Sequence, residues 1–301
     1  MAQRIYDTLY KALLSEQTRE KSEQVIIFIA IVAFILHLLA ILFSRLSLFG
    51  IESSSKLLGD PIAAIYTPFS FILVYEVYLL VYYLPQSMTI YIGKQYEIIS
   101  LIVIRRIFKD LSELEFTKNW FRVQDDLQFT YDLTATVLLF FLIFIFYRLN
   151  ERRVRRSMLD GETSEEITSF IRKKNILAMI LVPVILVLLV YSFGNWFHGH
   201  FISVSELAGS IRDINKIFFN EFFTILILTD VILLLLSFSH TDRFSTVIRN
   251  SGFIISTILI RMSFSTSGLL NTLLILVAVI FGVLILAIHN QYEKVNAPGD
   301  T

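Results

Sequence analysis

Between Val25 and Phe43 the chain runs for 19 residues with His37 as its one polar side chain. A helix of that length rises about 28 Å, the thickness of a bilayer's hydrocarbon core, and exceeds the apolar centre of a signal peptide. The residues before it mix acids and bases without a cleavage-type ending, so the run reads as a retained anchor. Further apolar runs occur at 65–84, 88–108, 132–148, 176–194, 218–238, 247–264 and 268–289. Eight spans of about 20 residues use roughly 160 of the 301 and leave only short loops and two tails. The composition agrees: 55% hydrophobic and 17% charged, against roughly 45–50% and 25% in soluble domains. The expected fold is an all-α polytopic membrane protein of about eight transmembrane helices, without room for a soluble catalytic domain. The third run is the least regular, because Gly93, Lys94, Gln95 and Glu97 interrupt its start. A shorter or re-entrant segment stays open there.

An even number of spans places both termini on one side, and the basic residues indicate which. With a cytoplasmic N-terminus, sixteen Lys and Arg fall on cytoplasmic segments, seven on outer ones, and Arg105, Arg106 and Arg261 near span ends. The strongest local bias is Arg152, Arg153, Arg155 and Arg156 in the central loop. These arginines are first of all a topology signal, and secondarily a contact for anionic lipid head groups or a partner. The expectation is a protein of the cell membrane with both termini cytoplasmic. Asp160-Gly161 marks a turn, and Thr163-Ser164-Glu165-Glu166 has the capping-box pattern that starts a helix. The expected organisation is a cytoplasmic segment 1–24, a first four-helix half 25–149, a basic linker 150–175 with a short amphipathic helix, a second half 176–290, and a disordered tail 291–301.

Two segments resemble each other. Ile98-Ile99-Ser100-Leu101-Ile102-Val103-Ile104-Arg105-Arg106-Ile107-Phe108 agrees at seven of eleven positions with Ile254-Ile255-Ser256-Thr257-Ile258-Leu259-Ile260-Arg261-Met262-Ser263-Phe264. Matching isoleucines mean little here, but Ser, Arg and Phe at the same offsets mean more. Glu76 and Asp230 recur at nearly the same offset, inside the second and sixth runs. With four spans per half, the halves enter from the same side and form a parallel repeat. They differ after the Arg-bearing span, where Lys109 to Thr130 faces a tight Ser265-Thr266-Ser267-Gly268 turn.

Glu76 and Asp230 lie deep in their runs, where a carboxylate costs at least about 2.5 kcal/mol against lipid. Each should face the bundle interior, paired with a cation or protonated. Arg105 and Arg261, each in the next span, are the expected charge partners, although both arginines lie far along their helices. Two readings compete: an ion or proton path through the acids, or buried clasps that only fix helix packing. His37 is a secondary candidate, as a proton relay or as a neutral histidine hydrogen-bonded between helices. Tyr75, Tyr78 and Tyr82 share a helical face near Glu76, with hydroxyls able to satisfy it. Pro68 and Pro183 can kink spans two and five. Ser263, Ser265, Thr266, Ser267 and Asn271 make a polar turn suited to close helix packing or to an outer vestibule.

Several function classes are excluded or left without support. With no cysteine there are no disulfides, thiolate metal sites or Cys nucleophiles. His198 and His200 lack a third metal ligand nearby, so no metal is expected, and no other cofactor. The ladder of basic residues of a voltage sensor and a potassium-channel filter are both missing. No nucleophile elbow, zinc-hydrolase motif or phosphate loop is present, so the chain is not expected to be an enzyme. The 26 basic residues balance the 26 acidic ones and give no sign of a nucleic-acid partner. The lipid bilayer is the expected partner, and a homo-oligomer stays open. The leading expectation is a channel-like or transporter-like protein moving a small ion or proton past Glu76 and Asp230. The alternative is a non-transporting membrane subunit that scaffolds or senses.

Overall fold

The computed structural model describes residues 2–45, 64–111, 124–157, 165–201, 207–238 and 244–296. Among them the secondary structure is helical, with no strand. The helices are α1 (Ala2–Leu13), α2 (Glu16–Arg45), α3 (Tyr66–Tyr83), α4 (Met88–Leu111), α5 (Gln124–Ser157), α6 (Glu165–Phe201), α7 (Leu207–Phe238), α8 (Phe244–Phe264) and α9 (Leu269–Asn296). Each of the eight apolar runs thus lies on a helix of its own. Four stretches are long and apolar enough to cross a membrane, within Tyr6–Phe43, Leu127–Glu151, Phe244–Phe264 and Leu269–Val295. The loop after α4 beyond Leu111, Thr163 and Ser164 of the capping box, and the tail after Asn296 lie outside the described residues. So do the side chains of Arg152, Arg153, Arg155 and Arg156, whose backbone forms the end of α5, and those of Trp196 to Phe201 in α6.

Local chemistry sets several boundaries. Ser15 caps α2, accepting the Thr18 N–H on its hydroxyl at 3.2 Å. Ser87 does the same for α4 through the Ile90 N–H at 3.3 Å. The interrupted third run is one continuous helix, α4: Gln95 turns to buried partners and Lys94 to Glu97 three residues on, so the side chains leave the backbone ladder intact. Glu165 opens α6, which continues without a break into the run 176–194 and carries Pro183 inside it. Between α8 and α9 the amides of Ser265 and Thr266 close back on the carbonyls of Met262 and Ser263. Gly268 has φ of 66°, a left-handed conformation that glycine adopts without Cβ strain. The Asn271 side-chain amide donates to the Ser263 carbonyl, so the polar turn serves to join these two helices.

Large apolar side chains are exposed along the helices as well as buried, and several polar groups are buried with them. On α5, Ala135, Leu139, Ile143, Phe146 and Asn150 form a buried stripe at helical spacing. Val137, Phe140, Phe141 and Phe144 on the opposite side are more than half exposed. Meanwhile Asp132 and Asp230 are 0% exposed and Gln95 1%. Apolar groups outside and polar ones inside are stable where the surroundings are hydrocarbon.

Contacts group the chain into two compact units, neither a single stretch of sequence. The first takes Met1–Tyr82, Leu101–Leu133 and Met179–Phe222; the second takes Tyr83–Ser100, Thr134–Ala178 and Phe223–Thr301. In the first, the tyrosine face of α3 meets α1 and α2, and Phe69 stacks on Phe108 with centroids 5.2 Å apart. In the second, α8 and α9 pack as a hairpin, and Phe146 meets both Tyr96 and Phe253 edge-on or tilted.

Candidate functional site

The first unit holds Glu76, Arg105, Tyr75 and His37. Glu76 on α3 is 7% exposed, and Arg105 on α4 is 8% exposed and close enough for its charge to act on the carboxylate. The structure therefore brings this expected pair together. The tyrosines do something else. Tyr75 donates to Glu23 of α2 at 3.0 Å, Tyr78 donates to the Leu13 carbonyl at 2.9 Å, and Arg19 lies over the Tyr82 ring. Successive helical residues point about 100° apart, so the face shared by Tyr75, Tyr78 and Tyr82 is not that of Glu76. His37 Nδ1 and Thr67 Oγ1 are 2.6 Å apart, a hydrogen bond that joins α2 to α3. Arg106, one residue past the expected partner, forks onto Asp132 at the start of the fourth apolar run. Its Nη2 reaches Oδ1 at 2.8 Å, and Gln128 adds a third donor at 2.9 Å.

Asp230 belongs to the second unit. Gln95 Nε2 faces its Oδ2 at 3.5 Å, the Tyr91 hydroxyl faces the same carboxylate, and Oδ1 has no hydrogen-bond partner. Thr257 of α8 donates to Gln95 Oε1 at 2.7 Å and lies 3.3 Å from the Phe253 carbonyl. Gln95, one of the residues that interrupt the third apolar run, is therefore part of the site. Beside them Lys94 pairs with Glu97 at 2.7 Å, and Tyr147 donates to Glu97 at 2.5 Å. Tyr91 and Gln95 fall four apart on one face of α4, the signal by which the sequence could have placed them.

The expected pairing of Asp230 with Arg261 is replaced. Arg261 Nε donates to Thr224 Oγ1 at 2.9 Å. Thr224 precedes Asp230 by about six residues, or ~9 Å of helix, so the guanidinium lies at another level of α7. The cation acting on Asp230 is Lys174 of α6, 6% exposed, whose ammonium donates to the Gln86 carbonyl at 2.8 Å. Lys174 lies just ahead of the apolar part of α6. Burial, then the charge of Arg249, pushes its ammonium down to about 8, against the pull of Asp230. Arg249 itself is 8% exposed and donates through Nε and Nη2 to Asn250 Oδ1 at 3.1 and 3.0 Å. Its Nη1 is 3.0 Å from His289 Nε2. Lys174, Arg249 and His289 carried no sequence signal beyond their proximity to span ends.

Among the described residues no group of three or more His, Asp or Glu converges as a metal cluster. No family model, curated protein or solved structure matches the chain.

Proposed function

We propose that the chain is a cell-membrane protein of eight transmembrane helices, in two parallel four-helix halves with both termini cytoplasmic, which moves a small cation or proton with Asp230 as its working group. The observation that carries this reading is a carboxylate at 0% exposure whose Oδ1 has no hydrogen-bond partner among the described residues, while an amide and a hydroxyl from α4 face the group. A buried acid is expensive in a membrane and rarely persists without a use. The arginines at 152, 153, 155 and 156 suit contact with anionic head groups on the cytoplasmic side.

A second reading has its own support. The Glu76 and Arg105 charges, the Arg106 fork on Asp132 and the Arg249–His289 contact all join helices, as the clasps of a non-transporting subunit would.

Purified protein in liposomes separates the two. Under transport, imposed gradients of protons, Na⁺ or K⁺ collapse faster than in empty vesicles, and Asp230→Asn abolishes the difference while Glu76→Gln retains it. The absence of flux for all three species removes the transport reading. Loss of folding in Glu76→Gln supports the clasp at that position.

A further inference from the structure

Resting on Asp230 as the working group, we propose that the species it takes up is a proton, and that Gln95 turns its side-chain amide to follow it. The geometry supplies Asp230 Oδ2 with a neighbour that can serve it in two protonation states. An ionised Asp230 only accepts. Gln95 Nε2, 3.5 Å from Oδ2, and the Tyr91 hydroxyl then serve it, while Gln95 Oε1 takes the Thr257 hydroxyl at 2.7 Å.

On protonation the acid gains one O–H bond, and a hydronium ion that delivered the proton leaves as water. The new O–H needs an acceptor. A half-turn of the Gln95 amide presents Oε1 to it and swings the NH₂ toward Thr257 Oγ1. That hydroxyl in turn gives its hydrogen to the Phe253 carbonyl, already 3.3 Å away. The Tyr91 hydroxyl faces the carboxyl in both states. The Asp230–Gln95 and Gln95–Thr257 contacts both persist, so the change requires only the turn of the Gln95 amide and of the Thr257 hydroxyl.

A metal ion fits less well. Hard cations take about six or more oxygen ligands. In this arrangement an amide N–H points at the carboxylate, and Asp230 is the one carboxylate among the groups named. Below about pH 8 the charge of the Lys174 ammonium already acts on Asp230, and that of Arg249 acts on Lys174. An incoming metal ion meets the repulsion of that nearby ammonium.

The test is infrared difference spectroscopy on the full chain in vesicles, stepped between about pH 9 and 5 with choline, Na⁺ or K⁺ as the only cation. A carboxylic-acid carbonyl band is expected that vanishes in Asp230→Asn, shifts in Gln95→Leu, and titrates at the same midpoint in all three salts over a ten-fold range of concentration. A midpoint that falls by up to about one pH unit per ten-fold rise in Na⁺ or K⁺ overturns the proposal, because a metal ion then competes for the site. So does the absence of any band that depends on Asp230. If Asp230→Asn fails to fold, the salt series on the unaltered chain and the Gln95→Leu shift decide. A salt-independent band without proton flux removes transport and leaves the proton site standing. Na⁺ or K⁺ flux with a salt-dependent midpoint does the reverse.

Discussion

The hydroxyl of Tyr96 lies against the bare backbone of Gly282, in the space that a Cβ there would fill. From that notch it reaches Ser256 Oγ at 2.8 Å, and Ser256 gives its own hydrogen to the Ala278 carbonyl at 2.7 Å. Three helices of the second unit, α4, α8 and α9, are thereby fixed at one level. Gly282→Ala should displace the phenol, break this relay and lower stability by about 1–3 kcal/mol. Tyr96→Phe in the same chain removes the clashing oxygen, so the double variant should lose less than the two singles added together. Thermal unfolding in detergent measures all three. An unchanged midpoint for Gly282→Ala would contradict the close approach.

Asp132 is 0% exposed and held by two nitrogens of Arg106 and by Gln128. Asp132→Asn removes the charge-assisted hydrogen bonds to Arg106, whose guanidinium is partly exposed, and should cost about 1–3 kcal/mol. Arg106→Lys should also destabilise, because an ammonium cannot reproduce the two-pronged contact. Replacing both residues by apolar ones, as in Arg106→Met with Asp132→Leu, should recover most of the loss. If the double variant is as unstable as the worse single, the pair contributes more than mutual neutralisation.

The helices were legible in the sequence because 20-residue apolar runs have few other uses, and each run lies on its own helix. The burial of Glu76, Arg105 and Asp230 was legible for a related reason, since a charge within such a run has to turn away from lipid. Partner choice was not. Proximity in sequence suggested Arg261 for Asp230, whereas the level along the helix decides, and Arg261 meets Thr224. The polar break at Gly93 to Glu97 looked like a flaw in a span. It is instead where α4 presents Gln95 to Asp230 and Glu97 to Tyr147. Amides and hydroxyls carry no charge to flag them, and their pairing across helices depends on tertiary registry that a run of hydropathy does not contain.

Lys174 gives a pH dependence with a definite sign. Its ammonium is pushed from 10.5 to about 8 in the folded chain, by burial first and by Arg249 second. Below about pH 8 both folded and unfolded chains hold the proton, and the folded state bears the full penalty of the buried charge. Between about 8 and 10.5 the unfolded chain binds more protons, so stability should rise with pH and level off above that window. The total rise should be on the order of 3 kcal/mol. Lys174→Met should flatten this part of the profile and raise stability at neutral pH, although it leaves the Gln86 carbonyl without its donor. Unfolding midpoints taken across the window decide it. A profile that falls with pH in the unaltered chain and is unaffected by Lys174→Met would overturn the assignment.

His289 joins α8 to α9 through both ring nitrogens. Nδ1 lies 3.1 Å from the Ser245 carbonyl, which can only accept, so Nδ1 carries a hydrogen. Nε2 is 3.0 Å from Arg249 Nη1, which can only donate, and 3.0 Å from Glu293 Oε1. A single nitrogen cannot serve both at once. Bare, it accepts from Arg249; protonated, it donates to Glu293. The neutral ring should therefore be the Nδ1–H tautomer, the opposite of the form favoured by an unconstrained histidine, and nitrogen chemical shifts of labelled His289 at alkaline pH read this directly. Arg249→Met should cost about 1–3 kcal/mol, since it removes two hydrogen bonds to Asn250 Oδ1 and the donor to Nε2. It should also release the tautomer, with the Nε2–H form becoming populated. If Nε2–H already dominates with Arg249 in place, the ring is turned about its Cβ–Cγ bond and the contact with Arg249 is not the one that orients it.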